Sequence, residues 1–153
     1  MPDRPRLTVR RLLPLAILLV AGCSPGYTVD AYPTEPGTAV DCKALYADAP
    51  RTVAGEDSIL VKDDNAVAWG APAIVMRCGV EKPDALTISS PCYPVGDVDW
   101  FAETTADGYL FTTIGRSFFV SLEVPRAYDP ASEALADVAD AIKKHDPSVK
   151  PCV

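Results

Sequence analysis

The chain has 153 residues, 48% of them hydrophobic and 23% charged, with a formal charge of −7. That length suits one domain with an ordinary hydrophobic core, and the acid excess excludes a nucleic-acid partner, which needs concentrated positive charge. A single histidine beside five cysteines excludes the His-rich catalytic zinc sets and turns attention to the thiols.

Arg4, Arg6, Arg10 and Arg11 open the chain, followed by an apolar run of ten residues from Leu12 to Ala21. Such a run is too short to span a bilayer and suits the apolar region of an export signal. Val20-Ala21-Gly22-Cys23 comes next and resembles the lipobox of bacterial prolipoproteins. The resemblance implies a signal peptide over residues 1–22, cleavage before Cys23 and acylation of its thiol. The chain is then lipid-anchored on the extracytoplasmic face of the cell membrane. A secretory signal cut near Ala21 is the alternative. Cleavage before Cys23 leaves 131 residues, with ten basic side chains against twenty acidic ones. Membrane attachment must therefore rest on acyl chains, not on charge.

Residues 23–40 read as the lipidated cysteine and a flexible tether, since residues 24–40 hold three prolines, two glycines and little apolar periodicity. A single domain is expected over residues 41–153. Asp41 can cap a short helix from Cys42 to Ala49, which Pro50 stops. Ser58 to Lys62 suits a short edge strand. Val67 to Trp69 and Ala73 to Cys78 read as strands broken at Gly70-Ala71-Pro72. Cys92 to Val98 contains Pro94 and suits an edge or irregular strand. Trp100 to Thr105, Tyr109 to Thr113 and Phe118 to Val124 form a meander, with Asp107-Gly108 and Gly115-Arg116 at its turns. In its last strand Phe118, Val120, Leu122 and Val124 alternate with Phe119, Ser121 and Glu123, giving one core face. A helix from about Ala131 to His145 follows, with Asp129 as cap and Lys143, Lys144 and His145 at the end where the helix dipole favours positive charge. The expected fold is α+β: an antiparallel or mixed sheet of about five strands, packed on one face by the long C-terminal helix and the short N-terminal helix.

With Cys23 assigned to lipid, Cys42, Cys78, Cys92 and Cys152 form an even set in an oxidising compartment. Of three possible pairings, Cys78–Cys92 with Cys42–Cys152 is favoured, because each bridge then joins neighbouring elements. No close CxxC pair supports a metal site.

Ala68-Trp69-Gly70-Ala71-Pro72, Ile74 to Val80, Val98-Asp99-Trp100 and Phe111 to Arg116, followed by Val120, Val124-Pro125 and Tyr128, resemble an actinobacterial family of small secreted proteins and lipoproteins classed only as a domain of unknown function. The resemblance covers about residues 41 to 145. It implies an exported, membrane-anchored protein and carries no activity, ligand or catalytic residue.

Catalytic chemistry finds little footing. His145 sits in a charged helix end, no GxSxG nucleophile motif occurs, and the thiols are assigned to disulfides. Asp97, Asp99, Asp63 and Asp64 read as a solvated acidic edge, and Asp99 with Glu123 is a weak carboxylate pair for glycoside chemistry. No catalytic residue, metal or cofactor is assigned. A recognition surface is expected around Trp69, Arg77, Asp99, Trp100, Arg116 and Phe119, where arginines beside aromatics can hold a flat polar group. The sequence thus points to an envelope lipoprotein acting as a non-enzymatic binding module for an unknown envelope protein or small molecule. A lipid or small-molecule carrier and an envelope hydrolase are the alternatives.

Overall fold

The structure, a computed structural model, describes residues 26–30, 32–36, 38–62 and 65–152. The signal peptide, Cys23, Asp63 and Asp64 lie outside the described residues.

Eight strands form one sheet: β1 (Thr52–Val53), β2 (Glu56–Ile59), β3 (Val67–Trp69), β4 (Ile74–Val80), β5 (Tyr93–Val95), β6 (Val98–Thr104), β7 (Gly108–Thr113) and β8 (Phe119–Pro125). Their order is β1-β2-β3-β4-β8-β7-β6-β5, and every ladder between them is antiparallel. Two four-stranded meanders therefore meet through the central pair β4 and β8. The expectation of about five strands is corrected to eight, for a local reason. Ala54-Gly55 (φ 49° and 78°) and Gly96-Asp97 (φ 63° and 61°) make tight reversals, so short segments that show no period of two become hairpins. The stretch from Cys92 to Val98 divides at Gly96-Asp97 into β5 and the start of β6.

Alternation along the strands gives the sheet two unlike faces. Trp69, Ile74, Met76, Trp100, Phe111, Val120 and Leu122 point to one face and join the main core. Two helices cover that face, α1 (Ala39–Ala47) and α2 (Ser132–His145). One stripe of α2 is buried: Leu135, Val138, Ala139 and Ile142, joined by Ala134. The helix begins after Ala131, whose position carries no side-chain cap bond, so Asp129 is not its cap. α1 begins earlier than expected, after Thr38, with Asp41 in its first turn. The helices lean on each other where the Asp48 carboxylate meets the Lys144 ammonium and the His145 ring, both at 2.6 Å.

The opposite face carries Ala68, Val75, Arg77, Ser121, Thr112 and Phe101, placed side by side by the ladder registers. Part of it is covered by the chain segment before α1. Val29 packs with Val61, Ala66, Ala68 and Val75 in a second, smaller core. Tyr27 N–H donates to the Leu60 carbonyl at 2.7 Å, and Glu35 N–H to the Gly79 carbonyl at 2.8 Å. Where the sequence suggests a free tether, the described residues 26–30 and 32–36 are bonded to the sheet.

The four thiols form two bridges, but the favoured pairing is corrected to Cys42–Cys78 and Cys92–Cys152. α1 lies across β4, which brings the Cα atoms of Cys42 and Cys78 to 5.4 Å. The chain beyond α2 is held by Val149 N–H and Lys150 N–H, both donating to the Gly115 carbonyl, and so delivers Cys152 to Cys92 beside β5. Layer packing, and not loop length, chooses the partners.

Candidate functional site

The expected recognition surface is divided among three environments. Trp69 and Trp100 are not on a surface: both are 0% exposed in the main core. Trp69 Nε1 donates to the Pro50 carbonyl at 2.8 Å. The Trp100 ring meets Phe111 edge-on at 6.4 Å, and its Nε1 has no partner among the described residues. Both belong to the expected recognition surface, but strand alternation turns them inward.

Arg77 lies on the opposite face, paired with Glu123 at 3.1 Å and lying 5.3 Å from the centre of the Tyr32 ring. Its side chain is 11% exposed, so it is an inward-held cation already matched by an acid. Ser121 sits opposite it in the ladder, with a buried hydroxyl that has no partner among the described residues. Phe119 is half-buried on this same face, whereas Phe118 enters the main core.

Arg116 and Asp99 belong to a third environment, the anchorage of the C-terminal segment. Arg116 donates to the carbonyls of Asp146 and Asp97. Burial pulls the guanidinium below its usual range, while the charges of Asp146 and Asp99 push it back. The buried Asp146 carboxylate accepts from Ser117 N–H at 2.9 Å and Phe118 N–H at 3.3 Å. Asp99 accepts from Cys152 N–H at 3.0 Å. These bonds fasten the chain after α2 and leave both side chains engaged.

Asp99, Cys92 and Cys152 bring ligand atoms within 4.8 Å of one another, the metal-type cluster found among the described residues. The two sulfurs are joined to each other. A disulfide sulfur is not the thiolate a metal needs, so the cluster offers one carboxylate in the bridged form. Asp99 and Glu123 do not make a carboxylate pair. They sit two strands and four residues apart in register, roughly 16 Å by strand geometry, beyond glycosidase spacing. His145 bonds to Asp48 and makes no hydrogen bond to a hydroxyl or thiol among the described residues.

Between sheet and helices Met76, Leu122, Leu135, Val138 and Ile142 are fully buried. Concave regions lie at the margins of the domain. A groove of about 820 Å³ runs over the Cys42–Cys78 bridge between α1 and Thr34–Pro36, with Lys43, Glu35 and Tyr46 on its walls. The Tyr46 hydroxyl accepts from Cys78 N–H and donates to the Asn65 carbonyl, and burial raises its pKa. That hydroxyl is therefore committed to the fold. A second groove of about 400 Å³ passes the Cys92–Cys152 bridge beside Lys82 and Lys150.

The third region has a different lining. Registers place Tyr93 opposite Trp100, Ala102 opposite Phe111 and Thr104 opposite Tyr109, all on the helix-side face. α2 begins at Ser132 and leaves this corner of the face uncovered. The result is a cleft of about 490 Å³ lined by Tyr93, Val95, Tyr109, Phe111 and Leu135, with Glu103 and Asp129 among its polar members. Tyr93 is 49% exposed. Tyr109 stands 6.0 Å from Phe111, with the Arg126 guanidinium 5.3 Å from its ring centre. Aromatic rings with a polar tip beside a few charged groups are the kind of lining that ligand and partner sites use. Sequence reasoning missed Tyr93 and Tyr109. The available signal was their place on the core-facing parity of strands that outrun the covering helix, and it required the strand register.

A family model described as "Protein of unknown function (DUF3515)" matches residues 12–151. No curated protein and no solved structure matches the chain.

Proposed function

The chain belongs to the DUF3515 family of proteins of unknown function, and on that premise we propose that it is an envelope lipoprotein, anchored through acylated Cys23, whose domain is a non-enzymatic interaction module. The signal, the lipobox order and the two disulfides support export to an oxidising compartment. No helix among the described residues is long and apolar enough to cross a membrane, so in this reading attachment falls to the lipid.

The observation that carries the interaction reading is the aromatic corner at the start of α2. Its half-exposed Tyr93 and partly buried Tyr109, beside the buried Phe111, form an apolar surface that the protein's own helix leaves open. Tyrosines of this kind give a large rigid contact area at low entropic cost, which is why they recur at binding hot spots. The partner is a component of the envelope, protein or small molecule, that places an apolar group against these rings.

Crosslinking of the tagged, acylated protein in cells, followed by mass identification of what co-purifies, tests the reading. Tyr93→Ala together with Tyr109→Ala should abolish recovery of a reproducible partner, while Phe119→Ala retains it. Retention of every partner by the double variant, with the fold intact by circular dichroism, excludes the aromatic corner as the site.

A further inference from the structure

We infer that the β2–β3 end of the domain lies directly against the lipid bilayer, with Leu60 and Tyr27 at the membrane surface. This rests on the lipid-anchor reading above. It replaces a stalked head with a domain seated on its own membrane.

The argument begins with chain length. Gly26 is already beside the domain: a Cβ placed on it would meet the Leu60 carbonyl at 3.1 Å. Tyr27 N–H donates to the Leu60 carbonyl at 2.7 Å, and Lys62 N–H donates to the Tyr27 carbonyl at 3.1 Å. Val29 is buried in the second core. Further on, Thr34 bridges Val80, and Glu81 N–H donates to the Pro33 carbonyl at 3.1 Å. Only Ser24 and Pro25 separate Cys23 from Gly26. Three residue steps span at most about 11 Å even when fully extended. A thiol acylated into the bilayer therefore holds Gly26 and its neighbours within that distance of the surface.

What stands at that point fits a lipid surface. Leu60 is 74% exposed and Tyr27 is 42% exposed, and their backbones are bonded to each other. A leucine in water gains by burial, and a tyrosine suits the interface, where its ring is apolar and its hydroxyl stays wet. Lys62 adds an exposed cation beside them that can meet headgroup phosphates. The rest of the mature chain is acidic, with twenty acids against ten bases, so the body is not drawn to an anionic bilayer. The acyl anchor supplies the proximity, and Leu60 and Tyr27 supply the contact.

The same geometry decides what is presented outward. β5 lies six strand positions from β2, which is about 29 Å along the curved sheet. Tyr93 and the aromatic corner thus belong to the half of the sheet remote from the anchor.

The test uses the full-length acylated protein in vesicles carrying brominated acyl chains, which quench tryptophan at the bilayer. Trp69 and Trp100 are buried and give a constant background. Leu60→Trp should lose much of its added emission, and Tyr93→Trp should keep its own. A flexible insert of twenty Gly and Ser residues after Ser24, with a root-mean-square span of about 25 Å, should release the quenching without changing acylation. Unquenched Leu60→Trp in protein whose Cys23 peptide carries the acyl mass overturns the seated arrangement and leaves the lipoprotein reading intact. A Cys23 peptide without acyl mass removes that reading and this inference together.

Discussion

The β1–β4 meander and the β5–β8 meander each bring one fully buried tryptophan to the main core, and each has one disulfide, yet they are secured in different ways. In the first, Trp69 has a hydrogen bond, Cys42 and Cys78 are buried members of the core, and a preceding segment covers part of the second face. In the second, Trp100 Nε1 is unpaired among the described residues, the Cys92–Cys152 bridge is half-exposed, and a corner of the helix-side face stays open. The first half spends its polar bonds on closure. The second leaves apolar rings accessible, which is what an interaction surface requires.

The bridges give the largest test of that difference. Chain entropy alone favours the longer loop: a sequence separation of 60 against 36 should make Cys92–Cys152 the more stabilising bridge by about 0.5 kcal/mol. Packing argues the reverse, because removing Cys42 and Cys78 also empties sulfur positions in the core. Cys42→Ala with Cys78→Ala should cost about 4–5 kcal/mol, and Cys92→Ala with Cys152→Ala about 2–4 kcal/mol. Denaturant unfolding of the two double variants reads the order directly. If the Cys92 pair costs more, loop entropy governs and the contrast between the halves fails at this point.

The tryptophans give a smaller, cleaner comparison. Each Trp→Phe change removes similar volume, but only Trp69→Phe leaves the Pro50 carbonyl without its donor. Trp69→Phe should therefore cost about 1 kcal/mol more than Trp100→Phe in the same denaturant series. Equal costs would mean that the Pro50 bond adds nothing net.

The least effect is expected where the two helices meet. Hydrogen bonds from Lys144 and His145 hold the Asp48 carboxyl below the usual carboxylate range. A carboxylate whose folded pKa is depressed contributes stability above its unfolded pKa, here near 3.8, and loses it as pH falls through the lower folded value. Asp48 is exposed, so solvent screens the pair. The difference in Tm between the parent and Asp48→Asn should be small at pH 7 and shrink toward zero as pH falls below 3.8 and through the lower folded value. A gap that widens on acidification contradicts the assignment.

Residue patterns show much of this molecule and mislead at identifiable places. The α2 stripe of Leu135, Val138, Ala139 and Ile142 is readable because 3.6-residue periodicity survives over 14 residues. Phe118 and Phe119 separate to opposite faces, as the period of two in β8 requires. The two-residue β1, the three-residue β5 and their reversals carry too few positions for any period, and there the strand count falls short. Arg77 and Arg116 read as recognition groups because their partners, Glu123 and the Asp146 region, are distant in sequence. Trp69 and Trp100 read as surface groups because a turn residue nearby says nothing about which face a strand turns inward.

The sequence by itself determined the family, the core-facing parity of β8 and the closing helix, since each depends on the order or spacing of neighbouring residues. Tertiary structure alone decided the disulfide partners, the docking of residues 26–30 and 32–36, the burial of both tryptophans and the open aromatic corner. Each of these depends on which element lies across which strand, and that is set when two meanders and two helices exclude water together, a condition local spacing does not encode.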